Sequence, residues 1–135
     1  MLSGNAHVAG VFTLQSRFSI TDTVERLKAA FAARGLKLFV HIDQKAEALA
    51  VGLDQPQVHL LIVGNPRLGT LIMQAMPLAG LDLPLKVLVW ESGEGQVQVS
   101  YNDADYLAAR FGLRSELVEG LRAFETLVAA TVNAA

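Results

Sequence analysis

The sequence predicts an α+β fold, and three patterns carry that prediction. Apolar and polar residues alternate over residues 12–20 and again over 36–43, the period of a half-buried strand. Apolar residues recur at helical spacing through Val24, Leu27, Ala30 and Phe31, and through Leu117, Leu121, Phe124 and Val128. Two strand-like runs, 85–91 and 96–101, flank the connection Ser92-Gly93-Glu94-Gly95, which signals a hairpin. The order β-α-β-α-β-α-β-β-α-α gives one domain over residues 1–135. Its sheet has about five strands, mostly antiparallel or mixed, with helices packed on one face.

Taken in order, Phe12, Leu14, Phe18 and Ile20 form the inner row of the first strand, against Thr13, Gln15, Arg17 and Ser19. Ser19, Thr21 and Asp22 are the N-cap candidates for the helix that follows, with Glu25 three residues beyond Asp22 and Gly35 as its stop. The second strand sets Leu36, Leu38, Val40 and Ile42 against Lys37, Phe39, His41 and Asp43. A short alanine-rich helix over 45–50 closes at Gly52. Residues 58–63 are apolar on both faces except His59, which suits a central strand. Residues 67–76 read as a helix halted by Pro77. In the second hairpin strand Val97, Val99 and Tyr101 share one face, and Gln96, Gln98 and Ser100 the other. Asn102 or Asp103 caps a helix to about Phe111, which Gly112 ends, and a C-terminal helix spans 115–133. Gly120 in its interior costs about 1 kcal/mol against alanine, so a close packing contact is expected there.

Composition narrows the function classes. Hydrophobic residues make up 52% and charged residues 18%, which excludes a disordered chain. Eleven basic and thirteen acidic residues are scattered without a basic stripe, so no nucleic-acid partner is expected. The absence of cysteine removes disulfides, thiolate catalysis and sulfur-ligated metals. Aliphatic runs such as 60–63 are far shorter than the roughly 20 residues of a membrane span. The first residues, Met1 to His7, lack the basic start and apolar core of a signal peptide. A cytoplasmic protein without a membrane partner is the expectation.

Chemistry concentrates in Gly64-Asn65-Pro66-Arg67-Leu68-Gly69-Thr70, which leaves an apolar strand and enters a helix. Backbone N–H groups at a helix start attract anions, and Arg67 or Thr70 would assist. The lysine and the longer glycine spacing of a Walker loop are missing. The alternative is a tight structural turn, with Asn65 and glycine taking left-handed geometry and Pro66 opening the helix. Asp82, among Leu81, Leu83 and Leu85 and ahead of Pro84, is the first candidate acid or base, or else a turn cap. His41, His59 and Asp43 are weak metal candidates: they would converge only if their strands are neighbours. Met73 and Met76 share a helix face as core fillers or soft contacts.

Several separated motifs, in order, resemble the domain of unknown function 302 family. They are Gly35-Leu36, Ile42-Asp43, Gly52-Leu53, Gly64-Asn65-Pro66 with Gly69-Thr70 and Met73, Asp82-Leu83-Pro84-Leu85-Lys86, Trp90-Glu91 and Tyr101-Asn102-Asp103. The resemblance covers about 21–113. It implies an α+β fold and self-association, without a settled reaction. It also implies two departures, because relatives carry histidine where this chain has Gln44 and Phe111. If those histidines form one site, it is altered here. Gln44 keeps only a hydrogen-bonding capacity, and an alternative gives His41 part of the role.

Three functions follow from this reading. The first is a small-molecule or anion binding module, with Asn65, Arg67, Thr70, Met73, Asp82 and Tyr101 at the site and Gly64, Pro66, Gly69 and Pro84 shaping it. The second is a homodimeric structural protein without a ligand, favoured if Asn65 and Asp82 are spent on backbone hydrogen bonds. The third is an enzyme using Asp82, His41 or Tyr101 as acid or base. The sequence names no cofactor.

Overall fold

The computed structural model describes residues 8–133; His7 and the N-terminal segment lie outside them. Strands β1 (Val11–Gln15), β2 (Lys37–Asp43), β3 (Val58–Gly64), β4 (Leu85–Glu91) and β5 (Val97–Asn102) form one sheet in the order β1-β5-β4-β3-β2. Every neighbouring pair is antiparallel, so of the two expected arrangements the wholly antiparallel one is realised. The hairpin joins β4 to β5 with Glu91 opposite Val97. Helices α1 (Ile20–Ala33), α2 (Gln44–Ala50), α3 (Pro66–Ala75), α4 (Ala104–Phe111) and α5 (Ser115–Val132) complete the chain. A 3-10 turn, Pro77–Asp82, follows α3.

The core lies on one face of the sheet. Ile20, Val24, Leu27 and Phe31 of α1 and Phe124, Val128 and Val132 of α5 pack against Leu61, Val63, Val87, Val89, Val97, Val99 and Tyr101. Burying a side chain such as Leu27 or Phe31 contributes about 1.5–3 kcal/mol, so this layer dominates the stability. A second cluster joins Ile72, Ala79, Ala104, Leu107, Phe111, Leu117 and Leu121 beneath α3 and α4.

Because side chains alternate along a strand, the register fixes what the other face carries. There Leu60 opposes Leu88 and Ile42, Ile62 opposes Val40 and Lys86, and Val58 opposes Trp90. Neither buried cluster draws a residue from this row.

Two boundaries differ from the alternation pattern. Strand β1 stops at Gln15 instead of continuing to Ile20. Ser16 turns inward, its Oγ sharing a 2.7 Å hydrogen bond with Thr23 Oγ1, and Ser19 caps α1 by accepting from Asp22 N. Phe18 and Ile20 keep an even spacing that belongs to a turn and a helix start. The 3-10 turn after Pro77 has no apolar period and was not expected.

Candidate functional site

Asn65 follows β3 and caps α3 in extended geometry (φ −99°, ψ 108°), and Gly64 is not left-handed either, so the turn does not use the left-handed geometry expected of it. Its Oδ1 accepts from Arg67 N (3.0 Å) and Leu68 N (3.2 Å), while Gly69 N donates to Asn65 O (2.9 Å). Pro66 has no N–H to offer. The first-turn donors that an anion would need are therefore engaged within the protein. Thr70 Oγ1 donates to Pro66 O (2.7 Å). Arg67 stays exposed.

The glycine-asparagine-proline turn faces the Leu83-Pro84 segment. A Cβ placed on Gly64 would stand 3.4 Å from Pro84 Cβ, ordinary contact for a tight approach. The Leu83–Pro84 peptide is cis. Between this segment and α3 lies an apolar cavity of about 260 Å³. Phe39, Thr70, Met73, Leu83, Pro84 and Leu121 line it, with Gly64, Asn65, Pro66 and Gly69 forming the turn side. A second hollow of about 290 Å³, more polar and reaching Arg34 and Ala123, shares Gly64, Asn65, Leu68 and Leu85 with the first. Leu68 in turn presses on Gly120: a Cβ there would come within 2.6 Å of Leu68 Cδ2. The close contact expected at Gly120 is this one.

Other candidate residues stand apart from the cavity. Asp82 turns toward α4, where Arg110 Nη1 donates to its Oδ2 at 3.2 Å. Its carboxylate is thus paired with a side chain, not spent on the backbone. Tyr101 is buried in the sheet layer beside Phe12, ring centroids 5.5 Å apart. Burial, with Glu125 and Asp103 nearby, pushes its phenol up to about 12, so it holds its proton at neutral pH. Glu125, which the pattern did not single out, accepts from Ala104 N (2.8 Å) at the start of α4; burial raises its carboxyl above the usual range.

The strands carrying His41 and His59 are neighbours, and their rings meet. His59 Nε2–H donates to Gln57 Oε1 (2.9 Å), which leaves His59 Nδ1 to accept from His41 Nε2–H (2.9 Å). Burial, aided by Lys28 and His59, lowers the His41 pKa. Asp43 does not join them: its Oδ1 accepts from Ala46 N (3.0 Å) as the cap of α2. Among the described residues no three His, Cys, Asp or Glu side chains are grouped to hold a metal ion. At the positions where the resemblance implied lost histidines, Phe111 fills the second apolar cluster and Gln44 opens α2.

Phe39 escaped the sequence reading because alternation put it on a polar row. A register shift between Leu38 and Val40 frees it from that row, and it lines the cavity. Leu83 and Leu121 read as plain core residues.

A small antiparallel α+β layer with a compact apolar cavity at the strand-to-helix turn is thereby defined. The chain belongs to the domain of unknown function DUF302 family, whose model matches residues 12–131. That match reaches beyond 21–113 at both ends and takes in β1 and most of α5. Among curated proteins, a fluoride-specific ion channel FluC 1 of Brucella suis is 41% identical over 105 residues, covering 78% of this chain and 41% of that protein. FluC 1 of Brucella abortus is 41% identical over 105 residues, covering 78% of this chain and 39% of that one. The chain thus spans about two fifths of these relatives. A crystal structure of an uncharacterised DUF302 protein from Bacillus stearothermophilus superposes with a TM-score of 0.77 at 20% identity, covering 93% of this chain and 98% of that one. That likeness establishes the shared fold.

Proposed function

We propose that this domain binds a small, neutral, largely apolar molecule in the cavity between α3 and Leu83-Pro84. The single observation that carries the reading is the cavity itself: about 260 Å³, walled by Phe39, Met73, Leu83 and Pro84, with Asn65 and Thr70 as the polar side chains at its edge. Ligand sites are mostly apolar with few polar groups, and an apolar cavity of about 150 Å³ already admits benzene. An anion is disfavoured because Asn65 already occupies the Arg67 and Leu68 N–H groups. Acid–base catalysis finds little support, since Asp82 pairs with Arg110 and Tyr101 is buried elsewhere. Fluoride conduction, suggested by the name of the Brucella relatives, is not adopted: no described helix is long and apolar enough to cross a membrane.

Thermal melting with neutral probes tests the proposal. Indole, 1-naphthol and octanol should raise the melting temperature of the native chain, and Met73→Trp, which crowds the cavity, should abolish the rise while remaining folded by circular dichroism. Equal shifts in both proteins, or none in either, contradict it.

A second reading, self-association, is supported by a different observation: the face of the sheet turned away from α1 and α5 is apolar along β2, β3 and β4.

A further inference from the structure

We propose that the face of the sheet turned away from α1 and α5 is the dimer surface, and that its occupant is the same face of a second copy. This rests on the self-association reading and names the surface. Val40, Ile42, Val58, Leu60, Ile62, Leu88 and Trp90 project from three adjacent strands on that face. None of the seven is fully buried, and Val40 is 44% exposed. Large apolar residues in a contiguous block on a free surface mark an interaction site.

Charge selects the kind of partner. The ionisable residues that the register places on that face are Lys37 of β2, opposite Gly64, and Lys86 of β4, opposite Ile62, both toward one end of the patch. A nucleic acid or an acidic peptide needs more cationic groups than this. Beyond these two lysines the face is uncharged in all five strands and suits its own copy. At the β5 side, Trp90 Nε1 donates to Ser100 Oγ (2.9 Å), which also shares a 2.8 Å hydrogen bond with Thr13 Oγ1. A second sheet closed over this face therefore leaves the Trp90 indole N–H paired.

Size agrees. Strands of six or seven residues at about 3.3 Å each, spaced about 4.8 Å across five strands, make a face about 20 Å on a side. Two such faces, with side-chain relief, hide on the order of 1,000 Å², near the lower limit of specific interfaces. Sheets stacked this way pack about 10 Å apart in aligned or orthogonal orientation, which a two-fold axis permits. The dimer should therefore be concentration-dependent, not obligate.

Light scattering coupled to size exclusion, with loadings from about 1 to about 200 µM, reads this directly. The native chain should move from its 14.5 kDa monomer mass toward twice that value. Leu60→Lys and Leu88→Lys should each hold it at the monomer mass with an unchanged circular dichroism spectrum. Trp90, the chain's one tryptophan, supplies a readout that needs no variant: dilution should shift its emission to the red and raise its quenching by acrylamide. A monomer at every concentration overturns self-association itself. A dimer that survives both lysine substitutions, or whose dissociation leaves Trp90 emission unmoved, overturns the surface while self-association stands.

Discussion

His41 and His59 share a single proton across a 2.9 Å contact, and a second proton would put two N–H groups against each other. The lowered pKa of His41 follows first from burial and then from Lys28. A folded pKa below the unfolded 6.5 means that the unfolded chain binds the proton more readily. Stability is thus complete above about pH 6.5 and falls as pH drops through the folded value. The melting temperature of the native chain should decline over that acidic interval, and His41→Gln should decline less; calorimetry between pH 7.5 and 5 checks this. Glu125 runs the other way. Its raised carboxyl pKa gives stability that is full below the usual glutamate value and lost as pH rises through the folded one. Glu125→Gln keeps an acceptor for Ala104 N and removes that loss, so at pH 7 it should equal or exceed the native chain in stability, whereas Glu125→Ala should fall about 1 kcal/mol below it. Urea denaturation of the three proteins compares them. The histidine contact was half legible in the sequence: both rings sat on one predicted row, but adjacency required the pairing of β2 with β3.

At the scale of elements, α3 shows how a sequence signal can be correct in position and different in meaning. Asn65 before Pro66 marks the helix start, and it does so by occupying the N–H groups that would otherwise attract an anion. Asn65→Ala should cost about 1 kcal/mol by urea denaturation, the worth of a lost cap. Helix α5 was legible down to one glycine, because a helix tolerates Gly120 only where something presses close, here Leu68. Gly120→Ala gains about 1 kcal/mol of helix propensity but forces Leu68 aside at an overpacking cost of about 1–3 kcal/mol. The variant should be neutral to about 2 kcal/mol less stable, and Leu68 displaced toward the cavity should weaken probe binding; denaturation and calorimetric titration measure the two effects. Strand β1 was less legible. Its alternation ran on into Ser16 and Ser19, residues whose hydroxyls bind locally and turn the chain.

Across the whole molecule, the architecture follows from one division: a sheet that gives one face to α1 and α5 and turns the other away from them. Period-two and period-3.6 patterns reveal the elements, and the hairpin fixes β4 beside β5. The place of β1 at one edge and β2 at the other depends on long-range pairing that no local pattern carries. The same limit applies to the site. The turn at Gly64 and the segment ending at Pro84 were each visible, and the structure brings them into contact. Asp82, the last residue of the 3-10 turn, points instead to Arg110, while Leu83, extended after it, lines the cavity. The cavity wall contributed by Phe39 depends on a register shift that alternation conceals.

Methionine methyl spectroscopy tests the central claim most directly. The chain holds three methionines, of which Met73 lines the cavity, so a sample labelled at the methionine methyl groups gives few signals to follow. Titration with indole should move the Met73 methyl resonance saturably, by more than either other methyl, and Met73→Trp should lose indole binding by calorimetry. A Met73 resonance that stays fixed up to the solubility limit of indole, 1-naphthol and octanol alike would contradict a ligand site between α3 and Leu83-Pro84.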